Sequence, residues 1–374
     1  MWITSCFDGG NIEVVELTSD RAATLAIRDD TAAPFRQWFY FRVGANKGVP
    51  LTLTIANAGE ASYAKGWEDY RAVASHDRRN WIRVDTRYQD GALVIEHTAP
   101  VDVVEFAYFA PYGLARQADF LADVQAHDGV RRASLGLTCD GRPIDYLEIG
   151  EGPRPCWIIG RQHPGETQAS WWMEGFLDRL CDPGDSIAAG LRREATFHVV
   201  PNMNPDGSFR GNLRTNAAGA NLNREWQEPS METSPEVFVV RERMIETGVD
   251  FMLDVHADEA LPYNFVVGPY GVPGLADHVL ALNERFCEAL KVANPDFQTE
   301  HGYPRPSADG ANLTIASKYV AHRFDCLSMT LEQPFKDSAI TPDPNHGWSP
   351  ARCAALGRSC LDALSSIIND LRPT

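Results

Sequence analysis

The sequence predicts an α/β protein in two parts: an antiparallel β-sandwich, followed by a mixed central sheet flanked by helices. Three observations predict it. The chain has 374 residues, two or so domains at roughly 150 residues each. Up to about residue 110, short runs rich in β-branched and aromatic residues recur at close intervals between turn residues, the pattern of a sandwich rather than of βαβ units. Beyond Pro111, strand-like and helix-like segments alternate, which calls for a parallel or mixed sheet with helices on both faces. The expected domains are therefore residues 1–112 and 113–374.

In the first part, residues 11–17, 37–43, 51–55, 81–84, 92–97 and 103–109 read as strands, with turn-like connections at 44–50 and 89–91. His76 and His97 stand among them without evident partners and read as structural residues. In the second part, 114–124 reads as a short amphipathic helix, and 133–137 with 144–149 as a hairpin around Asp140 and Gly141. Strands follow at 156–160, 195–201, 250–255 and 326–331, and helices at 168–181, 235–247, 275–293 and 351–371. Reactive groups in such a fold gather beyond the carboxyl ends of the strands.

Composition narrows the function. Hydrophobic residues make up 44% and charged residues 23%, an ordinary globular balance. No apolar run approaches the ~20 residues that span a bilayer. The formal net charge of -17 repels polyanions, so neither nucleic acid nor an anionic membrane surface is an expected partner. The first ten residues carry Asp8 and no basic stretch before an apolar one, so no signal peptide is expected. The eight cysteines are scattered without a CxxC pair, which reads as buried or half-buried free thiols in a reducing, cytoplasmic compartment. Oligomeric state leaves no trace in the sequence.

Chemistry concentrates in the second part. His163 and Glu166 lie three apart where a strand turns into a helix, so both can face one ion. Zinc accepts imidazole nitrogen and carboxylate oxygen, and a catalytic site uses three protein ligands plus water. Alone, H-x-x-E is a weak signal with about one chance match expected, and His256 with Glu259 matches as well. Position separates the two: His163 and Glu166 sit at a strand-to-helix loop. A third ligand should come from another strand end, and His256 closes the apolar run Phe251-Met-Leu-Asp-Val, with Asp254 two residues earlier on the same face. Carboxylates commonly hold ligating imidazoles by the free N–H. Between these segments lie Asn204-Pro-Asp-Gly207, Arg210-Gly-Asn-Leu-Arg214 and Gly219-Ala-Asn-Leu-Asn223-Arg224-Glu-Trp226. Arginine and asparagine together suit a carboxylate, through a bidentate guanidinium and amide donors. Glu332, at the end of the strand 327–331, is a candidate general base for water at a metal.

The motifs HPGE, NPDG, GNLR, GANLNREW, DVH and TLEQPF, in that order, resemble the M14 zinc carboxypeptidases, and within them the cytosolic carboxypeptidase subfamily. FDGGNIEVV and WFYFRV in the first part are similar to the β-sandwich which that subfamily carries ahead of a carboxypeptidase-type α/β domain. The resemblance implies one zinc ion held by His163, Glu166 and His256, with Glu332 as general base and proton shuttle. It implies that Arg214 polarises the scissile carbonyl and stabilises the oxyanion. Asn223 and Arg224, with Arg214 beside them, would bind the substrate. The implied substrate is a peptide or a protein C-terminal tail, with C-terminal glutamate as the subfamily's preference. Arg210, Arg214, Arg224 and the metal would form one locally positive pocket. Gly165 stands where pancreatic-type members carry arginine, as in the cytosolic subfamily. The tyrosine that caps substrate in digestive members has no clear match; Tyr303 and Tyr319 lie in the right region, outside any recognisable motif. Lys318 and Arg305 are candidates for reading the substrate side chain. The alternative is a zinc amidohydrolase of the aspartoacylase or succinylglutamate desuccinylase type, which shares H-x-x-E, a later histidine and an Asn-Arg pair; the NPDG-to-GNLR spacing and the preceding sandwich favour the peptidase. A binding module without turnover would lack a ligand or the base, and all four positions are filled.

Overall fold

The computed structural model describes residues 1–372. Ten strands run through the first part: β1 (Trp2–Thr4), β2 (Glu13–Leu17), β3 (Ala22–Ala26), β4 (Tyr40–Gly44), β5 (Pro50–Ile55), β6 (Val73–Ser75), β7 (Ile82–Arg83), β8 (Asp85–Gln89), β9 (Ala92–Thr98) and β10 (Val103–Ala107). They form two five-stranded sheets, in the orders β1-β4-β10-β6-β7 and β2-β3-β5-β9-β8. Pairing is antiparallel except between β3 and β5, which run parallel. Alternation along β5 and β9 buries Leu51, Leu53, Ile55, Leu93 and Ile95. They share a core with Phe39, Phe41, Val43 and Phe106 of the other sheet, as period-two patterning requires.

The second part contains α1 (Leu114–Val124), β11 (Val130–Leu137), β12 (Pro143–Ile149), β13 (Arg154–Gly160), α2 (Gln168–Cys181), α3 (Ser186–Glu194), β14 (Ala195–Val200), α4 (Pro205–Arg210), α5 (Pro235–Thr247), β15 (Phe251–Val255), β16 (Phe265–Val267), α6 (Asp277–Ala293), α7 (Ala316–Phe324), β17 (Leu327–Glu332) and α8 (Pro350–Ser365). Its seven-stranded sheet has the order β11-β12-β14-β13-β15-β17-β16. The four strands β14, β13, β15 and β17 are mutually parallel, and β11, β12 and β16 join antiparallel. Every residue of β15 and of β17 is buried; β15 opens as the apolar run expected of a strand covered on both faces, whereas β17 alternates Ser328, Thr330 and Glu332 with Leu327, Met329 and Leu331. Helices α2 and α8 cross closely at glycines. A Cβ on Gly175 would stand 2.0 Å from the carbonyl oxygen of Ala354, and one on Gly357 2.2 Å from that of Trp172.

A single hydrophobic cluster runs through both parts. At the junction the rings of Tyr108 and Phe335 stack at 4.4 Å, and the buried Arg83 donates to the carbonyls of Phe335 and Trp348 at 2.7 and 3.2 Å. No helix among the described residues is long and apolar enough to cross a membrane.

Several elements depart from the sequence expectation. The first predicted strand starts only at Glu13 and lies wholly exposed on a sheet edge. Helices α3, α4 and α7 and strands such as β3 and β16 are absent from the sequence expectation: they are short, so few residues are available to display a period. The closing helix stops at Ser365, and a separate 3-10 turn covers Ile368–Asp370. His76 and His97 are not lone residues. Facing strands bring their Nε2 atoms to 3.1 Å with the rings stacked. Six cysteines are buried, but Cys6 and Cys139 are exposed.

Candidate metal and substrate site

The carboxyl ends of β13, β15 and β17 share one edge of the sheet. His163 and Glu166 lie in the turn between β13 and α2, His256 follows β15, and Glu332 closes β17. The turn is held from beneath by the buried Arg161, itself left-handed at φ 57°, whose guanidinium donates to the carbonyls of Pro164 at 3.0 Å and Tyr112 at 2.7 Å. Gly165 permits the close approach of a second loop: its N–H donates to the carbonyl of Leu213 at 2.8 Å, and a Cβ would stand 3.0 Å from that oxygen.

His163, Glu166 and His256 each offer one ligand atom, all within 4.8 Å of one another. Nδ1 of His163 is 2.6 Å from Oε1 of Glu166, and Nδ1 of His256 is 2.8 Å from Oε2. The far nitrogens are engaged: Nε2 of His163 faces Oδ1 of Asn221 at 3.0 Å, and Nε2 of His256 faces Oδ2 of Asp254 at 2.8 Å. Hydrogen-bond acceptors on both Nε2 atoms favour protons there and leave both Nδ1 lone pairs aimed at one point, the arrangement of imidazoles that ligate a metal.

The electrostatics of the cluster fit a cation. Burial, aided by the Arg214 charge, pushes the His163 imidazole down to about 4. Burial also lowers His256, but Asp254 and Glu166 on either side outweigh it and hold the ring well above its ordinary value. Glu166 is raised by burial, yet the two imidazoles bring it below the usual carboxylate range. Burial and the neighbouring carboxylates of Glu166, Asp258 and Glu259 push Glu332 well up, and among the described residues its buried Oε2 has no hydrogen-bond partner. Carboxyl groups crowded in a dry cavity repel one another, and a divalent ion relieves that repulsion.

All seven predicted residues, His163, Glu166, Arg214, Asn223, Arg224, His256 and Glu332, line one cavity of about 270 Å³. Asn223 accepts the N–H of Ala316 at the start of α7 at 2.9 Å, and its amide nitrogen is 3.5 Å from Nε2 of His256. Arg224 donates to its neighbour's carbonyl at 2.6 Å and is lowered by burial and by Arg214.

Comparison with known proteins shows the family. The cytosolic carboxypeptidase N-terminal domain family matches residues 3–109, and the zinc carboxypeptidase family matches residues 118–261. The chain is 46% identical to a metallo-carboxypeptidase from Burkholderia cenocepacia, with 99% of each chain covered and a TM-score of 0.96. It is 42% identical to a metallo-carboxypeptidase from Pseudomonas aeruginosa in complex with (2-guanidinoethylmercapto)succinic acid, covering 100% of each chain with a TM-score of 0.97. The chain belongs to the M14 zinc carboxypeptidases, in their cytosolic carboxypeptidase branch. It is a metallocarboxypeptidase, a hydrolase of peptide substrates. Mouse cytosolic carboxypeptidase 6 is 32% identical over 296 residues; the match covers 71% of this chain and 54% of that protein, so the chain spans about half the length of that relative.

Within this carboxypeptidase the sequence-level candidates separate. Tyr303 lines the cavity and donates to Oδ2 of Asp258 at 2.5 Å, whereas Tyr319 packs on Trp226. Lys318 lines the cavity, whereas Arg305 lies over the ring of Tyr270 at 3.8 Å. The Lys318 ammonium donates to the carbonyl of Gly268 and, at 3.4 Å, to that of Tyr270. Burial lowers it to about 8, and among the described residues no carboxylate pairs with it.

One expectation fails. Arg210 does not join the positive pocket: its guanidinium binds Asp140 at 2.8 and 2.9 Å on the outside, because Gly211 at φ 72° ends α4 and reverses the chain. Several cavity residues went unforeseen, among them Asp258, Tyr63 and Glu259. Tyr63 comes from the first part of the chain, and Glu259 is the glutamate of the second H-x-x-E match; burial raises it to about 8. The NPDG segment serves as scaffolding. Asn204 caps α4 by accepting the N–H of Gly207 at 3.0 Å and donates to the carbonyl of Gln162 at 3.0 Å.

Proposed function

We propose that this carboxypeptidase releases the C-terminal residue of peptides or protein tails using one zinc ion, with preference for C-terminal glutamate. The observation that carries this reading is the convergence of two imidazole nitrogens and a carboxylate beside the unpartnered Oε2 of Glu332, in a cavity that also holds two arginines. His163, Glu166 and His256 hold the ion. The chemistry a bound zinc supplies there is acidification of water and polarisation of a carbonyl.

The protein's own groups do the rest. Glu332 accepts a proton from the attacking water at Oε2 and returns it to the leaving amine nitrogen. Arg214 donates to the carbonyl oxygen as negative charge develops on it. Asn223 and Arg224 grip the terminal carboxylate. Lys318, a buried cation without a carboxylate partner, receives an acidic side chain, since an anion there restores the charge balance that burial opposes. Residues 1–112 and 113–374 act as a sandwich domain and a catalytic domain. The branch to which the relatives belong supports a cytoplasmic location, and it favours a peptidase over the amidohydrolase alternative.

The test combines metal analysis with Glu332→Gln and a panel of peptides differing only in the last residue, run beside N-acyl amino acids. Roughly one zinc per chain is expected, with turnover in the variant reduced by about 10²-fold or more. Unchanged turnover in Glu332→Gln refutes the base assignment, and activity confined to acyl-amino acids refutes the peptidase.

A further inference from the structure

Arg214 is held mainly from outside its own part of the chain. Asp30, in the loop after β3, is buried, with 5% of its surface exposed. Its Oδ1 accepts the N–H of Leu213 at 2.5 Å, and its Oδ2 accepts the N–H groups of Arg214 at 2.8 Å and Thr215 at 2.9 Å, with the Thr215 hydroxyl at 3.0 Å. No arginine or lysine pairs with Asp30 among the described residues, so these four donors are what opposes the burial that raises its carboxyl. Thr31 continues the clamp, donating its N–H and hydroxyl to Oδ1 of Asn212 at 3.1 and 3.2 Å. The guanidinium is contacted from the same side: it lies 5.4 Å from the ring centre of Tyr63 and 6.0 Å from that of Phe35. Both the backbone and the charged head of Arg214 therefore rest on loops of the N-terminal part, 183 to 185 positions away in sequence for the carboxylate contacts. Among the described residues Arg214 forms no ion pair, so its donors remain available to the cavity it lines.

We infer that Asp30 is a positioning residue for the reaction: by fixing the backbone of residues 213–215 it aims the Arg214 guanidinium at the reacting carbonyl, and loops of the N-terminal part thereby complete the active site. The inference rests on the role given to Arg214 in the proposed function. A misplacement of about 1 Å in such a group costs on the order of 100-fold in rate, while affinity for the substrate carboxylate, assigned to Asn223 and Arg224, is left in place.

The experiment uses the zinc-loaded full-length chain and a blocked tetrapeptide ending in glutamate, with Asp30→Asn, Thr215→Val, Arg214→Ala and the two double variants. Asp30→Asn is expected to lower kcat by about 10- to 100-fold with KM changed less than about 3-fold, and to add less than about 2-fold when Arg214 is already alanine. Thr215→Val removes one of the four donors and is expected to lower kcat a few-fold; it carries the same cycle if Asp30→Asn does not fold. Equal losses in both backgrounds, or a lowered melting temperature with kcat unchanged, overturn the clamp and leave Asp30 as a structural prop. Arg214→Ala turning over at the wild-type rate instead overturns the role of Arg214 itself, which keeps the two failures apart.

Discussion

Asp254 sets the orientation of His256: its Oδ2 stands 2.8 Å from Nε2 of the imidazole, while Nδ1 on the other side of the ring faces Glu166 at 2.8 Å. The same carboxylate oxygen accepts from Gln162 at 2.7 Å, and Gln162 in turn accepts from the indole of Trp226 at 2.9 Å. Asp254→Asn keeps the shape but gives the ring a weaker acceptor. Zinc affinity is expected to fall by about 10- to 100-fold, read by competition with a chromophoric chelator. Affinity equal to wild type would show that the ring is oriented by its packing alone.

Arg224 and Arg214 share the cavity and differ in what their loss does. A charge-assisted hydrogen bond contributes about 1.5–3 kcal/mol, so Arg224→Ala is expected to raise KM by about 10- to 100-fold with a smaller change in kcat. Steady-state kinetics on one peptide separates the two constants. A fall confined to kcat would move Arg224 from substrate anchoring to the chemical step.

Lys318→Met removes the buried ammonium while keeping a long apolar stem. For peptides ending in glutamate, kcat/KM is expected to fall by about 10- to 100-fold relative to those ending in alanine. Equal losses on both peptides would remove side-chain reading from its role.

The crossing of α2 on α8 depends on two missing side chains. Gly175→Ala forces a methyl group to within 2.0 Å of the Ala354 carbonyl oxygen, so the helices must separate. Overpacking of this kind costs about 3 kcal/mol, measured by denaturant unfolding. Gly190→Ala is the control. Its Cβ meets only the Arg193 guanidinium at 3.9 Å, and helix propensity favours alanine by about 1 kcal/mol.

Glu236 gives the stability a dependence on pH. Burial raises its carboxyl to about 7, against the pull of its own backbone N–H and of Asn216, which donates at 3.1 Å. The folded protein therefore binds this proton more tightly than the unfolded chain does. The stabilisation is complete below the unfolded value near 4.5 and is lost as pH rises through about 7. At 1.36 kcal/mol per unit the contribution is up to about 3 kcal/mol. Unfolding of wild type and Glu236→Gln at pH 5 and pH 8 is expected to differ less in the variant. An identical pH dependence would remove Glu236 as its source.

That His163, Glu166, His256 and Glu332 gather in one cavity was legible because they fall at strand ends, where local spacing suffices. His256 could be read this way; Glu259, three residues on, could not. Its approach to the cavity depends on residues beyond β15 running beside those beyond β17, where Asp258 bridges Pro334, and no local pattern encodes that. Tyr63 and Asp30 were out of reach for the same reason, since their partners lie in the other part of the chain. Arg210 was grouped with Arg214 by proximity in sequence, which the left-handed Gly211 between them breaks. The histidines at 76 and 97 repeat the lesson: strands on facing sheets bring together residues 21 positions apart. Helix α7 carries no start signal in its sequence, since Ile315 precedes it without a side-chain cap.

The left-handed Gly211 packs against the N-terminal segment, where a Cβ would meet the carbonyl oxygen of Gly10 at 2.7 Å, and its own carbonyl accepts from Asn11 at 2.9 Å. Contacts this distant along the chain are slow to form, and during synthesis the amino-terminal portion leaves the ribosome first. The residues that shape the Arg214 loop are therefore synthesised before it. Reversing that order, by circular permutation that moves residues 1–112 behind residue 374, would leave the loop to emerge with nothing to shape it.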